Sequence, residues 1–178
     1  MLYGFVPAYL VQSLHYSPSQ TAAAMTISLL VSSAGLIVAA WAGDHLPRRL
    51  ILRAGSALLA VTVLPIWSEI ASGSEHLVLL LGALSLVFSI ASGIWPSIVA
   101  TLFPTRVRFS GIALSYNVCA TIVSGLAPLA ASAMIQQTGE LSAPAAYIAA
   151  CALLTVISTF AIPGLNRRQV IAHEPAVA

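Results

Sequence analysis

The sequence predicts an all-α membrane protein, a polytopic bundle of six transmembrane helices. Three observations carry that prediction. Charged residues are 7% of the chain and hydrophobic residues 59%, whereas a soluble domain has about 25% charged residues. A water-facing surface cannot be assembled from this composition, so lipid must be the main solvent. Second, all seven basic residues are arginines, and they fall in tight groups: Arg48, Arg49 and Arg53, then Arg106 and Arg108, then Arg167 and Arg168. Successive groups stand about 50 to 60 residues apart, room for two crossings of about 20 residues each and a turn. Third, the turns between the groups carry Glu69, Glu75 and Glu140 instead. This is the positive-inside asymmetry of an inner-membrane protein, with the arginines and both termini cytoplasmic.

The apolar segments follow in order. The first runs from Leu2 to Leu14, the second from Ala22 to Ala42, the third from Leu50 or Ala54 to Ile70. The fourth spans Leu77 to Phe103, the fifth Ile112 to Ile135, the sixth Ala145 to Ile162. Their lengths suit helices, which satisfy their own backbone in lipid. Barrel strands would alternate polar and apolar residues, and these segments do not. Residues 1–165 form the bundle, and residues 166–178 a polar cytoplasmic tail. The outer turns, Ser13–Thr21, Ala71–His76 and Gln137–Pro144, are short and punctuated by Ser, Gly or Pro, so neighbouring helices run antiparallel. The first segment is too short for a hydrocarbon core of about 30 Å. Either it is re-entrant or interfacial, or Met1 lies inside a longer helix; the arginine pattern favours truncation. The N-terminus lacks a basic region and a small-residue cleavage site, so no cleaved signal peptide is read there.

Several functions are excluded. No basic patch outside the loops is dense enough for nucleic acid. Nothing resembles a nucleophile with its base, a phosphate-binding glycine loop or a metal site, so neither an enzyme nor a cofactor is expected. Cys119 and Cys151 fall within apolar runs and read as packing residues.

Some residues stand out as candidates for solute contact. Ala113, Asn117, Ala120, Ser124, Ala127 and Ala131 follow helical spacing. Five are small and would let another helix approach. The Asn117 amide needs a partner at this depth, either an interhelical hydrogen bond or a solute in a cavity. Trp95 and Pro96 interrupt the fourth segment beside Ser92 and Gly93; the proline predicts a kink and a freed carbonyl, static or functional. Pro65 and Pro128 invite the same readings. Tyr3 and Tyr9 are interfacial anchors or solute contacts. The spans hold almost no ionisable group, so a proton-coupling residue would lie elsewhere.

A family resemblance lies in the inner loops. Ala40–Arg49 resembles the major facilitator loop pattern G-x-x-x-D-R-x-G-R-R: Asp44, Arg48 and Arg49 match, while Ala40, His45 and Pro47 depart. Leu102-Phe-Pro-Thr-Arg106-Val-Arg108-Phe-Ser-Gly111, followed by Ser115-Tyr-Asn117 and Gly125-Leu-Ala-Pro128, resembles the link between helices ten and eleven of the metabolite:proton symporters. That family includes proline/betaine, citrate, shikimate and 2-oxoglutarate carriers. Its usual glutamate is replaced by Thr101. The opening Tyr3–Tyr16 looks like helix seven of the proline/betaine branch. The resemblance implies the C-terminal six-helix half of a twelve-helix carrier, moving a small polar solute with a proton by alternating access. The partners implied are the lipid bilayer, the solute, the proton and an N-terminal six-helix half. It also implies a cytoplasmic gate of Asp44, Arg48, Arg49, Arg106 and Arg108. Pro47, where the family has flexible glycine, stiffens that turn. The alternative is a truncated or split-gene membrane fragment that does not transport.

Overall fold

The computed structural model describes Tyr3 and residues 6–161, and every regular element among them is helical. The elements are α1 Val6–Gln12, α2 Pro18–His45, α3 Arg48–Ala71, α4 Leu77–Ser92, α5 Trp95–Leu102, α6 Arg108–Cys119, a π turn Ala120–Ser124, α7 Gly125–Thr138 and α8 Ala143–Ala161. Five helical runs are long and apolar enough to cross a membrane: Pro18–His45, Arg48–Ala71, Leu77–Leu102, Arg108–Thr138 and Ala143–Phe160. The chain is thus a multi-pass membrane protein. Among the described residues, the first expected segment contributes the seven residues of α1. The expected tail, with Arg167 and Arg168, lies outside the described residues.

Local chemistry sets the boundaries. α2 starts earlier than hydropathy alone suggests, because the Ser17 hydroxyl accepts the Gln20 N–H at 3.2 Å and Pro18 occupies the first turn. It stops at Leu46, which is extended ahead of Pro47, and α3 begins at once with Arg48. Gly73 and Gly139, with φ of 83° and 71°, follow the ends of α3 and α7, where only glycine turns left-handed without strain. α3 runs through Pro65 as one helix. The fourth segment breaks between α4 and α5, as Pro96 predicts. Gly93 lies at this break, and a β-carbon there would meet Ala39 Cβ at 2.9 Å and the Leu36 carbonyl at 3.0 Å. A larger residue would push α2 away.

α3 packs against α4 and α8, and α2 against α4. The main core joins α1, α2, α3, α4 and α8 through Leu10, Val63, Trp67, Ile70, Leu81 and Leu84. A smaller one unites Ile51, Leu52, Ile94 and Ile98. The outward faces are apolar as well, with Leu30, Ile37, Val61, Leu79, Leu114 and Phe160 exposed. Such a surface fits lipid and not water. The hydroxyls on these faces are satisfied within their own helices: Thr26, Ser33, Thr62, Ser132 and Ser158 each donate to the carbonyl four residues earlier.

The two ends differ. At one, the Tyr16 hydroxyl donates to the carbonyls of Ile70 and Ser74, and the Tyr9 hydroxyl donates to the Leu141 carbonyl. Glu69, Glu75 and Glu140 belong to this end. At the other lie the α2–α3 and α5–α6 turns and the last turn of α8, with the described arginines. Arg53 is not in the loop, as the sequence grouping suggests, but in the second turn of α3.

Candidate functional site

A cavity of about 440 Å³ opens within the bundle, inside the range of about 300 to 1,000 Å³ typical of small-molecule sites. α3 contributes Leu52, Ser56 and Leu59 to its wall, and α4 Leu84, Phe88 and Ser92. Trp95 of α5, Val123 of the π turn, and Tyr147, Cys151 and Thr155 of α8 continue it, and Tyr3 completes it. The lining is apolar with scattered hydroxyls, a thiol and an indole, and no Asp, Glu, His, Lys or Arg is part of it. The Tyr3 hydroxyl is buried without a hydrogen-bond partner, while its ring meets Phe88 edge-on at 6.5 Å. A buried, unmade hydrogen bond is costly.

Two proline-induced irregularities shape the wall. Pro96 leaves the Ser92 carbonyl without its helical donor, and the chain tightens there: Ile94 N–H reaches the Ala91 carbonyl at 3.3 Å. In the fifth span, Pro128 can donate nothing to the carbonyls four and five residues before it, those of Ser124 and Val123. The helix answers with the π turn Ala120–Ser124, a widening found often at functional sites. The Val123 carbonyl accepts the Tyr147 hydroxyl of α8 at 2.8 Å.

Of the residues singled out in the sequence, Tyr3 and Trp95 come together at this cavity. Trp95 also stacks on Tyr116 of α6, centroids 5.6 Å apart and planes 11° from parallel. Asn117 is exposed and donates to the Ala113 carbonyl of its own helix at 2.7 Å; among the described residues it makes no interhelical bond. The small-residue face divides at the π turn. Ala127 and Ala131 are buried, whereas α6 buries none of its residues. An inserted π residue rotates the downstream half of the helix by about 100°, a shift invisible to simple spacing. Tyr9 is 2% exposed. Its ring stacks on Trp67 at 5.6 Å and its hydroxyl engages Leu141, which leaves no surface for a solute.

At the arginine end, Asp44 and Arg48 pair at 3.5 Å across one turn. Both are solvent-accessible, and such pairs contribute about 1 kcal/mol or less. Arg48 Nε also donates to the Gly43 carbonyl at 3.3 Å, and Arg108 Nε to the Phe103 carbonyl at 3.3 Å. Arg49 holds one buried guanidinium nitrogen without a partner, and Arg106 is exposed. Among the described residues no second ion pair joins these arginines. The Thr101 hydroxyl, where the resembling family has glutamate, bonds the Ile98 carbonyl at 2.6 Å.

Sequence reasoning missed the roles of Arg53 and of the polar side chains of α8. Arg53 donates from Nε to Thr159 Oγ1 at 2.8 Å and from Nη2 to the Thr159 carbonyl at 2.9 Å, and lies 4.1 Å from the Phe160 ring centre. Tyr147, Cys151, Thr155 and Thr159 recur every four residues along α8. That polar stripe was the available signal.

The Major Facilitator Superfamily family model matches residues 1–174. The chain is similar to the proline/betaine transporter of Escherichia coli K12, 27% identical over all of this chain and 36% of that protein. It is similar to the ectoine/proline transporter of Corynebacterium glutamicum, 28% identical over 99% of this chain and 35% of the relative. It is also similar to the citrate-proton symporter of Klebsiella pneumoniae, 26% identical over 75% of this chain and 30% of the relative. The chain therefore spans about a third of the length of these relatives. No solved structure matches it significantly.

Proposed function

The chain belongs to the Major Facilitator Superfamily, and from that premise we propose that its helices form one wall of a solute path through the cell's inner membrane. Carriers of this kind are not enzymes. The path works by alternating access, with the second wall supplied by another six-helix half. The solute is a small polar metabolite, an organic acid or a zwitterion such as proline or betaine, and it moves with a proton. The relatives' substrates support this range. The observation that carries the reading is the cavity itself. It offers hydroxyls and aromatic faces but no Asp, Glu, His, Lys or Arg, which favours a zwitterion over a polyanion and assigns proton coupling to another part of the carrier.

In this reading Tyr3 and Trp95 contact the solute. Asn117, on an open helix face, meets the solute or the second half. The arginine end is cytoplasmic, as the positive-inside asymmetry requires. There Asp44, Arg48, Arg49, Arg106 and Arg108 form the inner gate, whose charges close against the second half.

The test is uptake of radiolabelled betaine, proline and citrate in cells lacking their own carriers. The isolated chain is expected to give no saturable uptake. Co-expression with the N-terminal half of the Escherichia coli relative is expected to give saturable betaine or proline uptake, abolished by a protonophore. Saturable uptake by the isolated chain overturns the two-wall reading, and no uptake in the pairing supports a non-transporting membrane fragment.

A further inference from the structure

The fifth span is the least embedded part of the bundle. Over Arg108–Thr138, α6 buries nothing and α7 buries Ala127 and Ala131, while the main packing partner is α8. Between its halves lies the π turn, flanked by Gly125, around which a β-carbon would find open space, and by Pro128. Both features lower resistance to bending: the proline removes backbone bonds on one side, and glycine fills no contact. Val123 of this same turn is part of the cavity wall.

Two contacts hold the first half of this span in place near the cavity. The Tyr147 hydroxyl grips the Val123 carbonyl at 2.8 Å, locking the turn to α8. The Tyr116 ring lies flat against Trp95 at 5.6 Å, tying α6 to α5. We propose that Arg108–Thr138 is a hinged arm: the π turn is its hinge, and the Tyr147–Val123 bond and the Trp95–Tyr116 stack are releasable latches that hold α6 beside the cavity and restrict access to it. The inference rests on the reading of this cavity as a solute wall. α7 stays on α8 through Ala127 and Ala131, and α6 swings. A hydrogen bond of this kind in lipid is worth about three- to fifteen-fold in an equilibrium, weak enough to release and strong enough to bias the latched state.

The test uses the full chain in membranes with Cys119 and Cys151 replaced by alanine and a single reporter thiol. Ser92→Cys faces the cavity from α4, and Leu79→Cys faces outward on the same helix. Labelling rates with N-ethylmaleimide are measured for both. Tyr147→Phe removes one latch and keeps the ring. Tyr116→Leu removes the other and leaves the cavity lining intact. Each is expected to raise Ser92→Cys labelling about three- to fifteen-fold with Leu79→Cys unchanged. Pro128→Ala restores the backbone donor and is expected to slow it. Unchanged Ser92→Cys rates in both latch variants, or equal rises at both reporters, overturn the hinge. Uptake in the paired carrier separates the two readings. Labelling that responds without any uptake keeps the hinge and rejects transport. Saturable uptake with unresponsive labelling does the reverse.

Discussion

Removing the Arg53 guanidinium should unfasten α8 from α3. Three contributions can be summed. Two hydrogen bonds reach Thr159, at 2.8 and 2.9 Å, and Thr159 is 1% exposed. Bonds to a charged group contribute about 1.5 to 3 kcal/mol each, and the low end applies because Arg53 is itself half-buried. The Phe160 ring, 4.1 Å from the guanidinium carbon, adds about 0.5 to 1 kcal/mol. Rehydration after loss of the side chain offsets part of this, leaving about 2 to 4 kcal/mol for Arg53→Ala. That corresponds to roughly 30- to 1,000-fold faster hydrogen exchange in the last turns of α8, if those amides exchange by local opening. Thr159→Val removes only the hydroxyl acceptor and should cost about 1 to 2 kcal/mol. The double variant should fall short of the sum of the singles, because the two residues share one interaction. Additive effects, or exchange in Arg53→Ala within twofold of the parent, would refute the assignment of Arg53 as the α3–α8 fastener.

Other outcomes rest on the same geometry. Gly93→Ala puts a methyl 2.9 Å from Ala39 Cβ and 3.0 Å from the Leu36 carbonyl; it should destabilise the bundle by about 1 to 3 kcal/mol, read as a lowered melting temperature in detergent. Tyr3→Phe deletes a buried hydroxyl that has no protein partner. The chain should gain about 1 kcal/mol, while the paired carrier takes up its solute more slowly; a loss of stability would mean the hydroxyl is satisfied after all. Asp44→Asn breaks the 3.5 Å pair with Arg48. It should change stability by less than about 1 kcal/mol, and that difference should vanish in high salt.

Much of this architecture was legible because lipid imposes local rules. Hydropathy located the spans, arginine placement sorted the turns, and Pro96 marked the break that separates α4 from α5. Helix starts were less legible, since Ser17 and Pro18 extend α2 through capping rather than hydropathy. What escaped needed three dimensions. The face containing Asn117 and Ala131 obeys helical spacing on paper, but the π turn that Pro128 provokes rotates the two halves apart. Arg53 counted as a loop arginine because its partner, Thr159, lies more than a hundred residues away. Tyr3 and Trp95 drew attention as aromatics, yet only folding brings them to one cavity, while Tyr9 turns to Trp67 and Leu141.

The hydroxyls on the outward faces answer to carbonyls of their own helix, and this bears on how the protein is made. Each rod can slip sideways into the bilayer with its polar accounts already settled, before any neighbour arrives. Among the described residues, side-chain bonds that tie one rod to another or to an adjoining turn come from Tyr9, Tyr16, Arg48, Arg53, Arg108 and Tyr147. All but Tyr147 lie near the water-facing rims, so assembly resembles the docking of finished parts, with the polar clasps placed near the headgroups, where mispaired intermediates can still be hydrated and released.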